Sequence, residues 1–282
     1  MNLYKSLIFI LYLGIFLGSG FRTPAQSRDS ITLYGTLDTV QVIRQRIQHA
    51  NEANAGARVT HISPAILQAN KTRSLAELLT DHTSIYIKSL GTGALSTASF
   101  RGTSASQTRV NWNGINITPP LSGTFDFSQI PVFFTDNINL YYGSSHVKNG
   151  TGAIGGSGNL FTDTAWNRGV NGRVLAEYGS YNTYTVGGQA NISGNKSASK
   201  TRLYYQHSDN DYTYLNKVLT NIPFREKRQD AAYSQFGIMQ EGYFRVSPYT
   251  RLTAVAWYQK NHRNLPQPLG VVNRSQEDQE EN

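Results

Sequence analysis

Ser74-Leu75-Ala76-Glu77-Leu78-Leu79 opens the stretch that decides the fold, and Gly152-Ala153-Ile154-Gly155-Gly156 followed by Asn159 to Thr162 closes it. Between them run Ser99-Phe100-Arg101-Gly102-Thr103, Val110-Asn111-Trp112-Asn113-Gly114-Ile115 and Leu140-Tyr141-Tyr142-Gly143. The opening segment is a capping box: the Ser74 hydroxyl can accept from the Glu77 N–H while the Glu77 carboxylate reaches back to the Ser74 N–H. Leu75, Leu78 and Leu79 share one helical face, spaced for burial. A shorter helix is expected just upstream, with Ser63 as N-cap, Pro64 at the first helical position and Ala69 near its end. Strands are expected at Val59 to Ile62, Ile85 to Ile87, Ile138 to Tyr142 and Asn159 to Thr162. Phe100, Val110, Trp112, Ile115 and Ile117 are assigned to further short strands, with Asn113-Gly114 as a hairpin turn. Leu90 to Thr97 and Pro119 to Thr124 read as loops. Two helices among several short strands make an α+β domain.

After Thr164 the texture changes. Val174, Ala176 and Tyr178 alternate with Arg173, Leu175 and Glu177, and Leu203 and Tyr205 with Arg202, Tyr204 and Gln206. Tyr184, Val186, Gly188, Ala190 and Ile192 alternate with Thr185, Gln189 and Asn191. Leu252, Ala254, Ala256 and Tyr258 alternate with Thr253, Val255, Trp257 and Gln259. Period-2 runs of about 10 residues with aromatics near their ends describe transmembrane barrel strands; a soluble sandwich is the alternative. Ser193 to Ser199 and Ser247 to Thr250 are short turns of the periplasmic kind. Ser208 to Ser234 is a long polar loop of the extracellular kind, and Gly179 to Asn182 would be an unusually brief outer connection.

Charged residues are 16% of the chain, against about 25% in an average soluble domain, while Tyr numbers 17, Phe 12 and Gly 25. That balance suits a β protein. There is no cysteine, hence no disulfide or thiolate metal site. The formal charge of +8 admits a nucleic-acid partner, but the cations are scattered and no recognition motif accompanies them, so none is assigned. At the N-terminus Lys5 precedes an apolar run from Leu7 to Leu17, and Thr23-Pro24-Ala25 offers a cleavage site, which makes residues 1–25 a secretory signal peptide. A membrane anchor fits less well, because the run is shorter than the roughly 20 residues of a helical span.

No catalytic constellation is present, and the expectation is a non-enzyme. Gly150-Thr151-Gly152-Ala153-Ile154-Gly155 matches the dinucleotide fingerprint. However, Asn149 precedes it, and Gly156-Ser157-Gly158 opposes the helix that the fingerprint must open. The six histidines lack metal-ligand spacing. Asp209-Asn210-Asp211 groups hard oxygen donors that suit calcium, although a solvated loop tip explains the same residues. Leu37-Asp38-Thr39-Val40-Gln41-Val42-Ile43 favours an extended chain. In a mobile tail such a peptide could add to another protein's sheet edge; it also reads as an ordinary first strand of the domain that follows.

Asp38, Thr39, Val40, Gln41 and Val42 together resemble a TonB box, and the stretch from Ser74 to Thr162 resembles the plug domain of TonB-dependent outer-membrane receptors. The plug resemblance rests on Arg101-Gly102, Asn113-Gly114-Ile115, Tyr142-Gly143, Gly152-Ala153-Ile154-Gly155-Gly156 and Asn159-Leu160 in that order. Asn113 stands where many relatives carry Asp, and Gly158 where a β-branched residue is usual. The resemblance implies a periplasmic segment at residues 26–57, a plug at 58–166 and the N-terminal part of an antiparallel transmembrane β-barrel at 167–282. It also implies an incomplete barrel, since family barrels hold about 22 strands and about five are legible here. Leu95-Ser96 and Phe100 to Ser106 are most similar to the cobalamin-receptor-like members. The substrate would then rest on two plug loops, at Ser89, Leu90, Gly91, Thr92, Gly93 and Leu95, and at Pro120, Leu121, Ser122, Gly123 and Thr124. Calcium would sit at Asp209 and Asp211. The implied function is uptake of a corrinoid, with a ferric siderophore or haem as the alternative ligand and a passive porin or surface-binding barrel as the alternative class. Implied partners are the TonB energy transducer, outer-membrane lipid and a surface lipoprotein.

Overall fold

The computed structural model describes residues 58–143, 152–218, 223–266 and 278–281. The expected signal peptide and the Asp38 to Val42 peptide lie outside these residues. In chain order come β1 (Arg58–His61), α1 (Pro64–Ala69), α2 (Leu75–His82), the hairpin β2 (Tyr86–Ser89) and β3 (Ser96–Ser99), β4 (Thr108–Trp112), β5 (Ile115–Asn116), β6 (Asn137–Tyr142) and β7 (Gly156–Phe161). β1, β6, β7, β4 and β5 form one sheet in that spatial order. β7 pairs antiparallel with β6 and parallel with β4.

Local chemistry accounts for the helices. Ser63 Oγ accepts from the Ile66 N–H with Pro64 in the first turn. Around α2 the capping box closes both ways: the Ser74 N–H donates to Glu77 Oε2 at 2.9 Å and the Glu77 N–H to Ser74 Oγ at 3.3 Å. Leu75, Leu78 and Leu79 are buried in one core with Phe100, Phe127, Val132 and Ile138. Asn113 and Gly114 both take positive φ, 49° and 86°, and turn β4 into β5.

Four readings shift in detail. Ser96 and Thr97 belong to β3 and pair with Ser89 and Lys88, so the loop is shorter than Leu90 to Thr97. Phe100 falls just past β3, and Ile117 just past β5. β7 begins at Gly156 rather than Asn159, because β4 on one side and β6 on the other pair with it from Gly156 onward. A Cβ on Gly156 would overlap the Phe100 ring and the Tyr141 carbonyl, so this glycine lets β7 lie against the core. The fingerprint-like run therefore opens a strand, and no helix starts there.

The second sheet contains β8 (Gly169–Gly179), β9 (Thr183–Ser193), β10 (Ser197–Ser208), β13 (Tyr233–Arg245), β14 (Arg251–Asn264) and β15 (Asp278–Glu281), in sequence order and antiparallel throughout. β8, β9, β10, β13 and β14 are 11 to 14 residues long, enough to cross a bilayer, which takes about 9–11 tilted residues. No helix among the described residues is long and apolar enough to do so. The expected alternation holds in β9 and β10, whereas β8 and residues 251–258 of β14 are exposed on both faces. Val170, Val174, Tyr178, Leu203, Phe236, Ile238, Leu252 and Tyr258 point outward and are exposed. The opposite row of β10 (Ala198, Lys200, Arg202, Tyr204, Gln206 and Ser208) is buried. The sheet is open, as in part of a barrel. The long loop after β10 carries its own hairpin, β11 (Thr213–Asn216) and β12 (Phe224–Lys227), which polar composition alone did not announce.

The inner face of the second sheet packs on the first domain. Tyr204 lies 5.8 Å from Phe133 between ring centres, and Trp257 lies 4.8 Å from Trp112. Arg202, fully buried, donates to the Phe133 carbonyl at 3.1 Å and to Asp136, and stands 3.4 Å from Glu241. Lys200 Nζ donates to Asp136 Oδ2 at 2.8 Å and to the Asp163 carbonyl.

Candidate functional site

The hairpin β2–β3 and the loop after β5 bring their tips to one end of the first domain. The first tip is closed by local bonds: the Leu90 N–H donates to Leu95 O at 3.1 Å and the Ala94 N–H to Gly91 O at 3.1 Å. The second is closed by the Gly123 N–H on Pro119 O at 3.0 Å. Between the tips opens a cavity of about 480 Å³, lined by Leu90, Leu95, Ser122 and Thr124 from the expected set. Phe125, Asp126, Arg228 and Arg263 line it as well.

The remaining expected residues divide. Ser89, Gly91, Thr92 and Gly93 line a smaller cavity of about 140 Å³ that reaches the N-terminal turns of α2 at Ser74 and Glu77. Pro120 and Leu121 are exposed at the tip of their loop, Leu121 completely. Among the motif residues, Arg101 and Gly102 turn at positive φ after Phe100, and Gly143 and Gly152 also take positive φ. Gly155 lies where a Cβ would overlap Thr103.

Three groups from the second sheet and its loops hold the tips. The Asn210 side-chain amide donates to Thr92 O at 3.1 Å and to Ala231 O at 3.2 Å. The Tyr233 ring lies beneath Gly93, so closely that a Cβ there would overlap it. Arg263 Nη1 donates to Asp126 Oδ2 at 2.8 Å, both side chains being about nine-tenths buried. Asp126 Oδ1 accepts from the Ser96 N–H at 2.9 Å, the Ser128 N–H at 3.0 Å and Ser128 Oγ at 2.7 Å. One carboxylate thus ties the β2–β3 hairpin, the 3₁₀ turn at Phe127–Gln129 and β14.

Gly93 also sits at φ +71°, where an L side chain is strained. Gly93→Ala in the full-length protein is therefore expected to lift the tip off Tyr233, at about 1–3 kcal/mol of overpacking. Amide exchange over residues 91–95 should quicken while α2 stays protected; unchanged exchange at the tip would refute the contact.

Asp209 and Asp211 each have a protein partner in the structure. Asp211 Oδ2 accepts from Lys227 at 2.8 Å, which holds its carboxyl below the usual range. Asp209 pairs with His207 at 3.1 Å and accepts from Asn182 at 3.1 Å. Both line an open cavity of about 710 Å³ with Arg228 and Asp230. Among the described residues no three His, Cys, Asp or Glu side chains gather as a ligand set. The residue between them, Asn210, makes the contact to the β2–β3 tip through the Thr92 carbonyl. Arg228, Asp126 and Arg263 were missed because they come from three separate segments, and no local signal joins them.

The pattern of the TonB-dependent Receptor Plug Domain family matches residues 51–157. The vitamin B12 transporter BtuB of Photobacterium profundum is 32% identical over 135 residues, 48% of this chain and 22% of that protein. BtuB of a Vibrio cholerae serotype O1 strain is 32% identical over 126 residues, 44% of this chain and 20% of that protein. The chain thus spans about a fifth of the length of these relatives. In fold it is similar to the pyoverdine outer membrane receptor FpvA from Pseudomonas aeruginosa PAO1 (TM-score 0.58, 15% identity, 73% of this chain and 28% of that one). It is likewise similar to the siderophore receptor PiuA from Acinetobacter baumannii (TM-score 0.55, 20% identity, 73% of this chain and 26% of that one).

Proposed function

We propose that this chain is part of a TonB-dependent receptor of the outer membrane and serves active uptake of a corrinoid. In this reading residues 58–166 are the plug, and the strands from residue 167 onward are the first part of the barrel wall. Ligand enters from the end where the β2–β3 tip and the Pro119 to Thr124 loop meet. Asp38 to Val42 then becomes available to TonB in the periplasm, which adds to it as a strand and pulls. Force on the plug opens the path, and no covalent step is needed.

The observation that carries the reading is the cavity between the two plug tips, walled on one side by the sheet. Its plug side sets the apolar Leu90, Ala94, Leu95 and Phe125 beside the polar Ser122, Thr124 and Gln129, which suits a large ligand bearing both amide arms and apolar faces. The 32% identity to vitamin B12 transporters supports the same class. A ferric siderophore is the second reading, favoured by Arg228 and Arg263 in the cavity, cations that the loop sequences did not contain.

Calorimetry of the full-length receptor with cyanocobalamin is expected to give saturable heat at micromolar protein. Absence of heat, with tight binding of an iron chelate or haem, would replace the corrinoid by the second reading. Calcium, proposed from the resemblance alone, is tested in the same cell: chelation should weaken corrinoid binding if Asp209 and Asp211 hold the ion.

A further inference from the structure

We propose that Asp126 sets the charge preference of the ligand cavity by masking Arg263, an assignment that rests on reading that cavity as the ligand site. Two arginines and one carboxylate line it, Arg228, Arg263 and Asp126. Arg263 lies at the junction of β14 with the plug and makes its 2.8 Å bond to Asp126 within the wall. At this burial a charge is screened far less than at a surface, so removing one unit changes the local potential substantially.

The two carboxylate oxygens have separate tasks. Oδ1 holds the plug, accepting from Ser96 and Ser128, whereas Oδ2 faces Arg263. Asp126→Asn can keep an oxygen toward Ser96 and Ser128 while it withdraws the negative charge from Arg263. The variant thus separates holding the tip from masking the cation. With the charge gone, the cavity wall carries one more unit of net positive charge, and it changes from one that tolerates near-neutral ligands to one that favours anions.

The test uses the full-length receptor and three probes: neutral cyanocobalamin, the near-isosteric cation aquocobalamin, and a trianionic ferric tris-catecholate. Asp126→Asn should bind the trianion about tenfold or more tightly than the parent, and the double variant Asp126→Asn, Arg263→Gln should lose that gain. Arg263→Gln alone leaves Asp126 uncompensated and should shift preference toward aquocobalamin relative to cyanocobalamin. The two single variants give independent readouts should one fail to assemble, and charge-independent affinities in the assembled variants would overturn the proposal. If the parent binds neither corrinoid, the corrinoid reading fails while the trianion comparison still decides the role of Asp126.

Discussion

In the full-length protein, Asp136→Asn is expected to loosen the first domain from the second sheet, at a cost of about 3–5 kcal/mol, the range for breaking a buried ion pair from one side. Asp136 lies between the 3₁₀ turn Val132–Phe134 and β6. Its Oδ2 accepts from Lys200, Arg202 and the Asp163 N–H. Burial alone would raise its pKa, but Arg202 and Lys200 outweigh burial and hold the carboxyl below its usual range. Asparagine would leave Arg202, which water does not reach, with the Phe133 carbonyl and a Glu241 oxygen at 3.4 Å. Hydrogen exchange over residues 132–140 should accelerate while β10 and β13 stay protected. Equal protection in parent and variant would show that the cluster contributes no grip.

The same cluster fixes a pH dependence. Because the folded pKa of Asp136 is depressed, the stability it contributes is complete above the ordinary carboxylate pKa and is lost as pH falls through the folded value. Lys71 works in the other direction. Burial lowers it to about 8 against the opposing pull of Asp136, and its Nζ donates to the Val132 and Thr135 carbonyls. Between about 8 and 10.5 the unfolded chain binds more protons at this group, so plug stability should rise with pH across that window. Lys71→Met should flatten the alkaline rise and leave the acid loss in place.

What could be foreseen divides along the range of the interactions. The Ser74–Glu77 box, the Asn113-Gly114 turn and the inward–outward rows of β9 and β10 were legible, because each is decided within about a dozen neighbouring residues. The start of β7 at Gly156 was not, since a glycine-rich run has no strand preference of its own and its two neighbours, β4 and β6, supply it. The buried Asn111–Asn159 bond at 2.9 Å, between β4 and β7, was hidden for the same reason. The tip loops could be named from their composition, but their wall could not. Asp126 and Arg263 are 137 positions apart, and Asn210 was read with its acidic neighbours rather than with Thr92. Arg202 and Lys200 counted as scattered charge in the sequence, and only folding gathers them on Asp136.

The proposed recruitment of TonB by Asp38 to Val42 gives the second large effect. Val40→Pro in the full-length receptor is expected to abolish energised uptake while leaving ligand affinity unchanged. Strand addition draws its affinity from backbone hydrogen bonds, with alternate side chains supplying specificity. Proline at position 40 removes one donor, and its ring disfavours pairing on the side it occupies. A lost net hydrogen bond alone costs about 0.5–1.5 kcal/mol, and the steric term adds to it, so association with a TonB fragment should weaken by about tenfold or more. Val40→Ile keeps the donor and the β preference and should behave as the parent. Residues 38–42 precede the plug core in the chain, and other residues line the cavity at its tips, so calorimetric affinity should not move. Two measurements on one preparation therefore decide the matter: binding of the isolated ligand, and its accumulation in energised cells. Normal accumulation by the proline variant would mean that Asp38 to Val42 does not recruit TonB, and weakened binding in the calorimeter would mean that the peptide acts on the plug itself.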